Sequence, residues 1–191
     1  MPIVPKVDDY KGFVPKIFSD GTKLFNYFKK KSIKHSVGYF ILAPSGAGKT
    51  HFIKQQKKPH WIDGDALWMA ANAHPDRAWW LEGEESINEI DQMSDIITMQ
   101  AKKMGIWIAG ASNNWLPPDA VVLPDWTSHK LFIVTREREN YDGGATSSNF
   151  KQVLKHRSQI RNIARKHKVP IFQSMERATK YLETKYRKLK V

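Results

Sequence analysis

The sequence contains no cysteine in its 191 residues. Disulfides, thiolate zinc sites and thiol nucleophiles are therefore excluded, and the composition fits a reducing compartment. It also has no apolar run of membrane-spanning length, and no continuous apolar segment near its start of the kind a secretory leader carries. These absences predict a soluble, cytoplasmic chain with no membrane partner (the host cytoplasm, were the chain viral). Acidic residues are scarce at both ends. Residues 1–58 hold twelve Lys/Arg against three acids, and residues 129–191 hold sixteen against five. The middle, 59–128, reverses the balance with three bases and eleven acids, so the net charge of +12 belongs to the flanks. Charge placed only for solubility does not segregate in this way. Two readings account for it: a polyanionic partner such as DNA or RNA, or an anionic small ligand with the remaining bases solvated.

Aromatic and aliphatic residues are plentiful. Seven Trp and nine Phe within a 41% hydrophobic composition exclude a disordered chain, and the length suits one α/β domain with a substantial core. There is no internal repeat and no low-complexity tract.

The stretch around which the chain is organised is Ala43-Pro44-Ser45-Gly46-Ala47-Gly48-Lys49-Thr50. An apolar run, Val37 to Leu42, precedes it and reads as a buried parallel strand. A helix opens at Thr50 and runs to about Lys58. Strand, glycine-bearing loop and helix start together make the phosphate-loop pattern G-x-x-x-x-G-K-[ST], with Ala43 in place of the first glycine. That alanine is tolerable wherever its position does not need positive φ. The backbone N–H groups of Ser45, Gly46, Ala47, Gly48, Lys49 and Thr50 can wrap a phosphate whose charge the helix start favours. Lys49 then reaches the β- and γ-phosphates of ATP, and the Thr50 hydroxyl is the candidate Mg²⁺ ligand.

Residues 1–36 form a basic extension in which Lys23 to Lys31 reads as a short helix, facing either the domain or a nucleic acid. Residues 37–191 form the main domain. Its second strand, Pro59 to Ile62, ends in Asp63-Gly64-Asp65, at the strand end where ligands of open α/β sheets bind. Two carboxylates there can take a hydroxyl proton, hold Mg²⁺ through water, or hold an acceptor. The competing reading makes Asp65 the N-cap of a helix starting at Ala66. Helical segments are expected over 66–73 and 74–81, broken at Pro75. Trp79 and Trp80 are core residues or a stacking surface for a base. Glu84 to Met104 reads as a long amphipathic helix, with Ile87, Ile90, Met93, Ile97, Ala101 and Met104 on one face and Gly105 as its stop. It feeds a third strand, Ile106 to Ala109, whose exit Gly110 to Asn114 carries no acid. The lack of a carboxylate there argues against a motor or helicase ATPase.

Lys130 to Val134 reads as the fourth strand, after a connector with a short strand at Val121 to Leu123. A mobile lid is expected over about 136–148, where Arg136 and Arg138 supply charge for a transferring phosphoryl group. The helix over 149–168 holds seven Lys/Arg and no acid. Arg157 lies on its apolar stripe, so it either snorkels outward or reaches over the phosphate site; Arg161 and Arg165 can meet a nucleic-acid backbone. A short strand, Val169 to Phe172, precedes a final helix capped by Ser174.

The order strand, phosphate loop, helix, strand and Asp63-Gly64-Asp65, followed by Asp76-Arg77-Ala78-Trp79-Trp80-Leu81, resembles the small P-loop kinases of the gluconate kinase and nucleoside monophosphate kinase group over about residues 37–111. Relatives of that group include phage DNA kinases acting on hydroxymethylpyrimidines. The resemblance implies a three-layer α/β sandwich around a parallel sheet of about five strands. It further implies ATP-dependent transfer to a hydroxyl, with Lys49, Asp63 and Arg136 catalytic and Asp65 and Arg77 on the acceptor. The basic flanks favour an acceptor in nucleic acid, DNA first, at a 5′ end or a hydroxymethylated base. A nucleotide or sugar acid is the alternative acceptor, and a nucleic-acid-binding protein with regulatory nucleotide binding is the alternative class.

Overall fold

An unbroken run of four apolar side chains has no polar face to offer water, and β1 (Tyr39–Leu42) is accordingly buried at every position. The computed structural model describes residues 33–58, 60–75, 77–139 and 144–189. The fold is α/β: β1, β2 (Trp61–Asp63), β3 (Trp107–Gly110), β4 (Ala120–Val122) and β5 (Ile171–Phe172) form one all-parallel sheet in the order β2-β3-β1-β4-β5. Among the described residues six α-helices accompany it: α1 (Lys49–Lys54), α2 (Gly64–Ala70), α3 (Glu84–Lys103), α4 (Trp126–Arg138), α5 (Phe150–His167) and α6 (Met175–Lys188). Among the described residues no helix is long and apolar enough to cross a membrane. The expected helix at 23–31 lies outside the described residues.

Packing divides the chain into two compact units. Of the described residues, one unit comprises those from 33 to Gly38, Gln56–Ile108 and Ser112–Leu116; the other comprises Tyr39–Gln55, Ala109–Ala111 and those from Pro117 to 189. In the first, α3 follows its expected bounds to within a residue and buries Ile90, Met93, Ile96, Ile97 and Ala101. Glu84 and Glu85 open it and Lys102 and Lys103 close it, so both charge pairs oppose the helix dipole. Its inner face is not wholly apolar, because Ser94, Asp95 and Thr98 are fully buried on it. Each has a task. Thr98 Oγ1 accepts from Trp68 Nε1 at 3.0 Å. Asp95 accepts from the backbone N–H groups of Asn114, Trp115 and Leu116 at 2.8, 2.6 and 3.0 Å and from Asn113 Nδ2 at 2.9 Å, fixing the segment after β3. Burial pushes Asp95 up to about 7 against those four donors, which pull it down.

In the second unit β1 pairs with β4, Ile41 opposite Ala120 and Leu42 opposite Val121, and β4 pairs with β5. The chain leaves β1 toward β2 on one side and leaves β4 toward β5 on the other. Where connections diverge from the carboxyl ends of neighbouring strands, a crevice opens that α/β sheets use for ligands. The β1/β4 pair is that place here. Ser174 caps α6 as expected, its hydroxyl accepting from Arg177 N.

Three expectations are corrected. Lys130 to Val134 is not a strand but the middle of α4, and the short strand expected at Val121 to Leu123 is present as Ala120–Val122 and is the fourth of the sheet. The apolar run of four within α4, Leu131 to Val134, suits a strand or a helix equally. Asp125 decides for the helix, because its carboxylate accepts from Ser128 N at 3.0 Å and from Ser128 Oγ at 2.6 Å as an N-cap. The cap of α2 is Asp63, accepting from Asp65 N at 3.0 Å, so the helix begins at Gly64 and Asp65 sits in its first turn. The helical stretch to Leu81 shrinks to one 3₁₀ turn, Trp79–Leu81, after Asn72 breaks α2 at φ 55°.

Candidate functional site

The loop between β1 and α1 has the conformation its glycines permit. Gly46 and Gly48 lie at φ 80° and 90°, and Gly48 is the residue before α1. Ala43, in place of a first glycine, is fully buried and is not among the residues of positive φ, which is why an alanine is accepted there. A Cβ added at Gly48 would meet nothing within 4 Å, so the loop opens on space at that point. A Cβ at Gly46 would instead strike Ile133 Cγ1 at 2.7 Å, because α4 presses on the loop's other side.

That pressure comes from one stripe of α4: His129, Ile133 and Arg136, spaced by four and three residues. Ile133 and His129 are fully buried. His129 Nε2 lies 2.8 Å from Ser45 O, and Arg157 donates from one guanidinium nitrogen to His129 Nδ1 at 2.8 Å and from another to Pro124 O at 2.7 Å. Arg136 donates to Ala145 O at 2.6 Å and lies 3.5 Å from Ser45 Oγ, which also accepts from Ala145 N at 3.0 Å. Lys49 is buried, with Nζ donating to Ala43 O at 3.0 Å and Pro44 O at 2.8 Å. Three successive loop carbonyls, those of residues 43, 44 and 45, are thus held by side-chain donors.

The surroundings are electropositive. His129 is lowered to about 4, first by burial and then by the charges of Arg157, Lys49 and Arg136, with the bond to Ser45 O opposing. His156, bonded to the Ala111 backbone, is likewise lowered to about 4 by burial and by Lys49. Both imidazoles are neutral near pH 7. Low water access and fixed positive charge are what a polyphosphate requires of its site.

Of the expected site residues, Ser45, Gly46, Ala47, Gly48, Lys49, Thr50, Arg136 and Arg157 fall in this unit. Arg157 does not snorkel: it is buried against Trp126 and meets the loop through His129 rather than directly. Arg138 is exposed at the end of α4, so the first residues of the expected lid are helical; residues 140–143 of it lie outside the described residues. Asp63, Asp65 and Arg77 belong to the other unit, where Arg77 pairs with Glu82 at the surface. Trp79 is buried, the core reading of the two. His129, Ile133 and His156 escaped the sequence reading. The available signal was Asp125-Trp126-Thr127-Ser128, a helix-start pattern that would have set 129, 133 and 136 on one face.

His74 is a further buried histidine, with Nε2 at 2.9 Å from Ser94 Oγ and 3.2 Å from Ser112 Oγ, and burial lowers it to about 4. Its folded value is depressed below the ordinary 6.5, so the unfolded chain binds the extra proton. Stability from His74 is complete above about pH 6.5 and lost as pH falls toward 4, by up to about 1.4 kcal/mol per pH unit. Asp91 and Asp95, both raised by burial, work in the opposite direction over this range. The histidine part is isolated by urea unfolding of wild type and His74→Asn at pH 7 and pH 5. The variant should show a shallower fall, and parallel curves would remove His74 from the pH response.

Among the described residues no group of three or more His, Asp or Glu side chains is arranged to hold a metal ion. Thr50, the residue expected to hold Mg²⁺, stands in the first turn of α1. Comparison with known proteins finds no matching family model, no matching curated protein and no matching solved structure.

Proposed function

We propose that this chain is an ATP-dependent phosphotransferase of the P-loop kinase type, built as a three-layer sandwich, that moves the γ-phosphoryl group to a hydroxyl in nucleic acid, DNA first. The observation that carries the reading is the phosphate loop at the β1/β4 crevice, open at Gly48 and surrounded by Lys49, Arg136 and two neutral imidazoles. Lys49 leaves its two carbonyls to meet the β- and γ-phosphates. Arg136, already beside Ser45 Oγ, offsets charge on the transferring group. Asp63 takes the acceptor's proton as its oxygen bonds to phosphorus and ADP departs, while Asp65 and Arg77 hold the acceptor. Thr50 would hold a Mg²⁺ ion, which would supply neutralisation of the phosphate charge.

Support for a nucleic-acid acceptor comes from α6 as well as from net charge. Tyr181 is 42% exposed, packs on Phe172 at 5.2 Å, and lies beside the edge strand β5. At 3.6 residues per turn, Arg177, Lys185 and Lys188 fall within about 40° of it, whereas Glu176 and Glu183 fall about 140–160° away. An aromatic ring flanked by cations suits a single strand. A second reading, nucleic-acid binding with a regulatory nucleotide, is favoured by the cap role of Asp63 and the Arg77–Glu82 pair, which give both residues structural employment.

The deciding experiment offers γ-labelled ATP with panels of DNA, RNA, nucleotides and sugar acids and asks what becomes labelled. Label on a small acceptor alone would move the assignment to a metabolite kinase; no label, with DNA still bound, would favour the regulatory reading. Binding itself is checked by anisotropy of labelled single and double strands across a salt series. The log of affinity should fall with the log of salt by about 0.7 per phosphate contacted on a single strand and about 0.9 on a duplex. Arg161→Gln with Arg165→Gln should flatten that slope. Tyr181→Ala should weaken single-strand binding by about 1–3 kcal/mol and leave the slope unchanged, since stacking releases no counterions. No binding of either strand form tighter than about 10⁻⁴ M would remove nucleic acid as the partner.

A further inference from the structure

A guanidinium can only donate, so Arg157 at 2.8 Å from His129 Nδ1 makes that nitrogen the acceptor. The ring proton then sits on Nε2, which donates to Ser45 O at 2.8 Å. The carbonyl and N–H of a trans peptide point in opposite directions. Holding Ser45 O toward α4 therefore turns the Gly46 N–H away from α4, toward the open side of the loop. We propose that His129, oriented by Arg157, is the positioning residue of the phosphate loop, fixing the Ser45–Gly46 peptide with its N–H presented to a bound phosphate. The inference rests on the nucleotide-binding reading above.

The other side chain that holds loop carbonyls cannot keep doing so once a nucleotide arrives. Lys49 holds the carbonyls of Ala43 and Pro44, but its ammonium is the group that must move to the phosphates. His129 holds the third carbonyl and has no such second duty. Its support is rigid: Arg157 is anchored on Pro124 O just beyond β4, lies 5.6 Å over the Trp126 ring, and is buried. The contact of Ile133 with Gly46, one helical turn from His129, fixes the distance between helix and loop. The charges acting on His129 are Arg157, Lys49 and Arg136, all positive, so the neutral ring and its tautomer are stable. The role belongs to two residues that a loop motif does not contain, supplied by helices 80 and more residues downstream.

The test has two readouts. In ¹⁵N imidazole spectra of the wild-type protein without nucleotide, His129 should show an unprotonated Nδ1 and a protonated Nε2 from pH 6 to 8; the reverse tautomer overturns the array. MgATP binding by calorimetry is then compared for wild type, His129→Leu and His129→Gln, with Tm recorded for each. Glutamine places an N–H the same number of bonds from Cα as Nε2 and should bind within about threefold of wild type. Leucine, which fills the buried volume without a donor, should weaken binding by about tenfold, the scale of one hydrogen bond. Leucine binding like wild type overturns the proposal. Equal losses in both variants that track Tm overturn it in favour of packing. A wild type with the expected tautomer that binds no MgATP defeats the nucleotide reading itself, and the positioning role with it.

Discussion

Lys49→Ala is expected to abolish phosphoryl transfer while the chain stays folded. In the structure Nζ is hydrogen-bonded to Ala43 O and Pro44 O and the side chain is buried, so truncation leaves two carbonyl oxygens with one donor fewer. Carbonyls tolerate under-satisfaction better than N–H groups do, so the fold loses little by this. Transfer loses much more. A fixed ammonium on the β- and γ-phosphates in a dry site contributes several kcal/mol to the transition state, or several powers of ten in rate. His129 and His156 should respond as well: removing the Lys49 charge relieves one cause of their lowered values, so both should titrate higher in the variant. Near-UV circular dichroism checks the fold, γ-label transfer checks the chemistry, and histidine NMR checks the electrostatics. A folded variant with wild-type turnover would falsify the phosphate-loop assignment. Unmoved histidines would show that Lys49 is not where the structure places it.

The parts of the fold that could be read from the sequence are those where one physical signal acts alone. The run Tyr39 to Leu42, the twenty-residue face of α3 and the glycine pattern of the loop each have one interpretation, and each is where it was expected. The strand at Val121-Val122 was legible, but Lys130 to Val134 also reads as a strand because its apolar run is longer, although it is helical and the shorter run is the buried one. Strand length in a buried sheet is set by the neighbouring strands, and one chain segment does not report it. Reading 130–134 as a strand also hid the candidate site. As a strand, 130–134 would have sent alternate residues to one face; as a helix it brings His129, Ile133 and Arg136 together on the loop. Arg157 was noticed for lying on an apolar stripe, but its partner was not, because the separation of 28 positions between Arg157 and His129 carries no spacing rule. Asp95 escaped for the opposite reason. It sits in a strongly periodic helix whose apolar residues explain the periodicity without it.

The carboxylates after β2 present the sharpest remaining test, because the structure gives Asp63 a second role. Its Oδ1 accepts from Asp65 N and caps α2, so an alanine there would lose a cap and a charge together. Asparagine separates the two, since it caps as well as aspartate and carries no negative charge. Asp63→Asn is therefore expected to leave Tm within about 1–2 °C of wild type, to leave MgATP affinity nearly unchanged, and to lower kcat by about 10²–10⁴-fold, the usual contribution of a general base. Asp65→Asn, in the first turn of α2 where it makes no cap, should act on the acceptor's KM more than on kcat if it binds rather than activates. The reverse pattern would exchange the two roles. Asp63→Ala distinguishes the residue's structural contribution: it should add a loss of about 0.5–2 kcal/mol in unfolding free energy to the same catalytic defect. If Asp63→Asn and Asp65→Asn both turn over at the wild-type rate, the first carboxylate is a helix cap and nothing more. The proton would then have to leave the acceptor by another route, and the regulatory reading, in which no proton moves, would be the better account of the chain.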